Sequence, residues 1–149
     1  MTIINPDNTP EYLWYELVDH AQTRAGYSLD DGLSSYLVLT LKHFSDYNQL
    51  SSDIVAIELL ENLQISDSTI GRQGLRKVGD QCLIISGLFP ERLDKLNVSF
   101  AYYITAGKNA YWHVAQNAQN STLDEGLFCQ LSDEFVGLVD VLHHVRQAH

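Results

Sequence analysis

The stretch Leu75–Tyr111, LRKVGDQCLIISGLFPERLDKLNVSFAYYITAGKNAY, decides the fold. Leu75, Val78, Cys82, Ile85 and Phe89 recur at alternating steps of three and four, the period of an apolar helix face. Pro90 cannot continue that helix and biases Phe89 toward an extended conformation, so a helix over 69–88 must stop there. A second helix follows over 99–118, capped by Asn97 or Ser99, with Tyr103, Ala106, Gly107, Ala110 and Val114 down one side. Gly71, Gly74, Gly79 and Gly87 lie in or beside the first helix. An interior glycine costs about 1 kcal/mol relative to alanine, so this density calls for close approach of another backbone. The small face Ala106, Gly107, Ala110 is the expected receiver.

The same period extends outward in both directions. Thr9-Pro10-Glu11 is an N-cap, an N1 proline and an acid at the positive helix end, opening a helix over 10–25 with Leu13, Leu17 and Ala21 inward and Gly26 as its stop. Ser28 and Asp31 form a short capping box for a helix over 29–45, where Leu33, Leu37, Leu41 and Phe44 are widened by Tyr36, Val38 and Leu39. A helix apolar almost all round is a central one or an interface one. Ile54, Ile57, Leu60 and Leu63 mark a short third helix. Leu123, Leu127, Leu131, Phe135, Leu138, Leu142 and Val145 mark one long last helix over 123–146. Residues 1–8 read as a loose polar arm. The pattern predicts an all-α, single-domain bundle over 1–149, of five to six helices with short connections and no sheet.

Composition narrows function. The 149 residues carry a net charge of −10, spread as −9 over residues 1–70, +3 over 71–108 and −4 over 109–149. An acidic chain without a basic stripe is a poor match for nucleic acid. No apolar run reaches the length of a membrane span, and MTIINPDNTPEY has no signal-peptide pattern. Cys82 and Cys129 each sit in an apolar run without a C-x-x-C partner and read as two buried thiols. A cytoplasmic protein with no cofactor is expected.

Three constellations are candidate sites. Arg72 and Arg76 repel at i+4, so an anion near them and Arg92 is a natural third party, although Arg76 also has Asp80 one turn on. Tyr36, Tyr102 and Trp112 are aromatic anchors for a partner surface if they fall off the core face. Asp140 with His143 and His144 has carboxylate–histidine spacing for a metal, against the simpler reading of favourable charge at a helix C-terminus. No nucleophile elbow, zincin, P-loop or dinucleotide motif occurs.

The elements Leu75-Arg76-x-x-Gly79-Asp80, Ser86-Gly87-x-Phe89-Pro90-Glu91-x-Leu93, Tyr102-Tyr103 and Gly107-x-x-Ala110-Tyr111 resemble the core of a family of all-helical bacterial proteins of unassigned function. The resemblance covers a quarter of the chain and implies a helical domain in a bacterial cytoplasm; it supplies no activity, cofactor or site residue. The expected function is a non-enzymatic interaction module that self-associates, as a homodimer, or binds a protein partner. The alternative is an anion-binding protein or enzyme at Arg72, Arg76 and Arg92, with a metal bundle third.

Overall fold

The computed structural model describes residues 11–47, 67–91, 93, 99–116 and 122–148. These form six helices and no strand: α1 Glu11–Ala25, α2 Asp31–Tyr47, α3 Asp67–Leu88, α4 Phe100–Gln116, α5 Thr122–Asp133 and α6 Phe135–Ala148. The fold is the all-α helical bundle that the apolar periods predict. The N-terminal arm and the short helix of Ile54 to Leu63 lie outside the described residues. No helix of the described residues is long and apolar enough to cross a membrane.

Local chemistry sets the helix ends. Gly26 takes φ +72°, a conformation that costs glycine little. This lets Tyr27 N–H reach the Gln22 carbonyl at 2.9 Å and Gly26 N–H reach Thr23 at 3.3 Å, the paired closure of a Schellman stop. The cap of α2 is Asp30, not the expected Ser28–Asp31 box. Asp30 Oδ1 accepts Leu33 N–H at 2.8 Å, while buried Gln22 accepts Leu29 N–H at 2.8 Å and fixes the connection between α1 and α2. Ser99 caps α4 through Tyr102 N–H at 3.0 Å. At Pro90 the chain leaves α3, and the Pro90 carbonyl accepts Leu93 N–H at 3.1 Å.

The central helix is α3, not α2. Gln81 through Gly87 are buried on every side, with α4 along one flank and α6 along another. On α2 the apolar surface is narrower than its composition suggests: Leu33, Leu37, Val38 and Leu41 are buried, but Leu39 is 52% exposed.

Close approach at glycine occurs, though not as glycine facing glycine. Gly79, Gly87 and Gly107 each receive a large side chain. A Cβ on Gly79 would lie 2.6 Å from the Tyr111 ring, one on Gly87 would strike Leu142, and one on Gly107 would enter the Phe135 ring. Rings seated against bare backbone draw α3, α4 and α6 together more tightly than alanine permits.

The expected single last helix is two, meeting at Glu134. The hydrogen-bond ladder runs through the joint, with Glu134 N–H to the Gln130 carbonyl at 2.8 Å and Leu138 N–H to the Glu134 carbonyl at 2.9 Å, so the apolar spacing never breaks. What changes is the neighbour. α5 packs on α4, and α6 packs on α1 and α3. The joint is pinned to α4 on both sides: the Ser132 hydroxyl donates to the Lys108 carbonyl at 2.9 Å, and Phe135 fills the space over Gly107.

Two glycine substitutions separate these effects. Gly126 in α5 has nothing within 4 Å of its would-be Cβ, so Gly126→Ala gains helix propensity and raises stability by up to about 1 kcal/mol. Gly107→Ala gains the same propensity but loses about 1–3 kcal/mol to overpacking against Phe135. Urea denaturation of both variants checks the opposite signs.

Candidate functional site

Asp80 stands at the head of the buried stretch of α3, and three helices converge on it. The Tyr36 hydroxyl from α2 and the Tyr111 hydroxyl from α4 both donate to Asp80 Oδ1, each at 2.6 Å. Arg76, one turn earlier on α3, donates from Nε to the Tyr36 oxygen at 3.0 Å and lies 3.9 Å from Asp80 Oδ2. The i+4 pairing of Arg76 with Asp80 is therefore present, but it is indirect and shared with a phenol. The Arg76 side chain is 53% exposed and Asp80 only 16%, so the charge is closed in on the carboxylate side and open on the guanidinium side.

Aromatic rings complete the enclosure. Tyr36 meets Tyr111 edge-on at 6.2 Å between centroids and Phe128 edge-on at 5.6 Å. Tyr111 also stands 5.9 Å from both Phe128 and Phe135. The Arg76 guanidinium carbon lies 5.1 Å from the Tyr36 ring centre and 5.9 Å from that of Phe128, within cation–π range. Gly79 gives Tyr111 the room to reach Asp80.

The electrostatics follow from burial. Removal from water raises the Asp80 carboxyl from 3.8 to about 6, against the lowering effect of the Tyr111 and Tyr36 hydrogen bonds and the charges of Arg76 and His43. Burial, then the neighbouring Asp80 charge, pushes the phenols of Tyr36 and Tyr111 well above their ordinary range. The same two causes raise the Cys82 thiol. None of these three becomes a nucleophile or a base near neutral pH.

The sequence-derived candidates fall as follows. Tyr36 is 5% exposed and spends its ring and hydroxyl inside the chain, so it presents no anchor to a partner. Tyr102 and Trp112 are 46% and 48% exposed on α4. Of the arginine set, Arg76 is committed to Tyr36, Asp80 and Phe128; the side chain of Arg72 and all of Arg92 lie outside the described residues. The Asp140, His143 and His144 group is not brought to one point. His143 Nε2 donates to the Ser86 carbonyl at 3.1 Å, and His144 Nδ1 donates to the Asp140 carbonyl at 2.9 Å. Among the described residues no three His, Cys, Asp or Glu side chains gather as metal ligands. Cys82 is buried as expected, whereas Cys129 is partly exposed.

Periodicity does not reveal the convergence on Asp80, because its partners are 44 and 31 residues away. The available signal is an acid set between Gly79 and a mostly apolar run, Gln81 to Gly87, which is a poor place for a solvated charge. Gln81 is a second polar residue in that run, and neither of its amide atoms finds a hydrogen-bond partner. No family model, curated protein or solved structure matches the chain.

Thiol accessibility tests the enclosure. In the native protein one cysteine, Cys129, reacts promptly with an aromatic disulfide reagent, and Cys82 reacts only on unfolding. Two prompt thiols would mean that the α3–α4 contact at Gly107 is open.

Proposed function

We propose that the chain is a non-enzymatic helical interaction module that self-associates through the outer face of α4. The observation that carries this reading is the composition of that face. Tyr102 and Trp112 stand half-exposed with Thr105 and Asn109 between them, and α4 contains no Asp, Glu or Arg. The lysine of α4, Lys108, is half-buried at the edge of this face, one turn from Thr105 and from Trp112, and the exposed His113 lies beside Trp112. Aromatic anchors with depleted charge are the compositional mark of an interface core.

A second copy fits better than an unlike partner. Two chains of charge −10 repel, so they associate most readily through a face that carries no acidic residue. A basic partner would instead be met by the acidic surfaces. The face is also self-complementary. Tyr102 and Trp112, like Thr105 and Asn109, are placed symmetrically about position 107. Two antiparallel α4 helices related by a two-fold axis there set Tyr102 against Trp112 of the other copy, and Thr105 against Asn109. The ten-residue spacing puts the two aromatic pairs about 15 Å apart, one at each end of the contact.

The chemistry of the enclosed cluster supports a non-enzymatic reading, since Asp80, Tyr36, Tyr111 and Arg76 are spent on one another. Sedimentation equilibrium from micromolar to submillimolar concentration tests the proposal. The expected result is a dimer whose dissociation constant rises at least about tenfold in Trp112→Glu, a loss of about 1.4 kcal/mol. Tyr12→Glu, at an exposed ring on α1, leaves the constant unchanged. A wild-type monomer throughout, or equal effects of the two variants, would contradict it.

A further inference from the structure

We propose that Asp80 is a proton-operated latch between α2 and the rest of the bundle. With a proton on Oδ2 the carboxyl stays enclosed and α2 stays seated; when that proton leaves to solvent, α2 is the element that yields to admit water.

The geometry that carries this is the crowding of both phenols onto one oxygen. Tyr36 and Tyr111 each donate to Oδ1. Oδ2 has Arg76 Nε at 3.9 Å, too long for a hydrogen bond. A neutral carboxyl can therefore keep both phenol bonds on its carbonyl-type oxygen while the other oxygen carries the proton. Had the phenols been divided between the two oxygens, protonation would displace one of them.

The groups around the carboxyl can be taken helix by helix. Tyr36 and His43 come from α2, Arg76 and Cys82 from α3, and Tyr111 from α4; α5 contributes the uncharged Phe128 ring. The charge of Arg76 favours the carboxylate, as does that of His43 when it is protonated, and so do the two hydrogen bonds. Burial opposes them and prevails. The folded chain therefore holds this proton more tightly than the unfolded chain does. The stability it contributes is fully present below 3.8 and is lost as pH rises through about 6.

Above that range the charge meets water only through the 16% of the Asp80 side chain left exposed beside Arg76, and fuller hydration requires one of its covers to move. Tyr111 is wedged over Gly79 and against Phe135, on a helix that packs broadly on α3 and α5. Tyr36 belongs to α2, which among the described residues packs mainly on α1 and meets α3 and α5 only narrowly. Displacing α2 is the smaller loss.

Two readings of the same protein test the latch. Carbon-13 NMR follows the Asp80 carboxyl through pH, assigned with Asp80→Asn. Amide hydrogen exchange gives the protection of α2 relative to α4 at pH 5 and pH 8. The expected results are an Asp80 midpoint about two units above the ordinary aspartate value, near a hundredfold in proton affinity, and relative α2 protection that falls at least about tenfold by pH 8. In Asp80→Asn, which keeps an acceptor for both phenols without a charge, that ratio stays level. An Asp80 midpoint in the ordinary range, or α2 and α4 losing protection together, would overturn the proposal. If Asp80→Asn does not fold, the wild-type midpoint and ratio still decide.

Discussion

Two phenol hydroxyls sharing one carboxylate oxygen is the contact on which the arrangement of α2, α3 and α4 depends. Apolar side chains fill space without dictating a single register, whereas a buried acceptor with two donors is satisfied in one geometry only. Tyr36, Asp80 and Tyr111 therefore select, among the ways three apolar helices can pack, the one that brings these residues to a point. The cost is a carboxyl taken out of water. Its hydrogen bonds and the nearby Arg76 offset that cost only in part, which is why the Asp80 carboxyl ends near 6. Such a cluster specifies a structure more than it stabilises one.

Glycine makes the point of convergence reachable. Tyr111 approaches Asp80 over Gly79, and the same device seats Phe135 at Gly107 and Leu142 at Gly87. With its neighbours drawn this close, α3 becomes the buried axis of the bundle. The joint at Glu134 belongs to the same scheme. One apolar stripe serves α4 before the joint and α1 with α3 after it, so the last helix turns where Ser132 and Phe135 fasten it to α4. The inner side of α4 is thereby occupied along its length, and its outer side, with Tyr102 and Trp112, faces solvent.

The helices were legible in the sequence because their signals are local. Pro90 stops α3, Ser99 caps α4, Gly26 closes α1, and the three-and-four spacing marks the buried residues of each. What was not legible depends on direction and distance. Tyr36 lies at the edge of an apolar face, and periodicity cannot say whether its hydroxyl turns to water or to an acceptor on another helix. The central place of α3 rests on contacts from α4 and α6, while the apolar breadth of α2 fits a central helix or an interface one equally. Leu39, half-exposed, accounts for much of that breadth. The joint at Glu134 is silent because no proline or glycine stands there and the hydrogen bonds continue. The candidate anion and metal groups rest on residue type and position in the sequence, and the structure turns Arg76, His143 and His144 to separate partners.

The convergence on Asp80 is tested most directly by a double-mutant cycle of Tyr36→Phe and Tyr111→Phe, read by urea denaturation at pH 5. The two residues sit on different helices and touch the same carboxylate oxygen. Their effects on stability are expected to be non-additive by at least about 0.5 kcal/mol. Additivity within about 0.3 kcal/mol would mean that the two phenols do not share an acceptor in solution, and the account of how α2, α3 and α4 are held would be wrong.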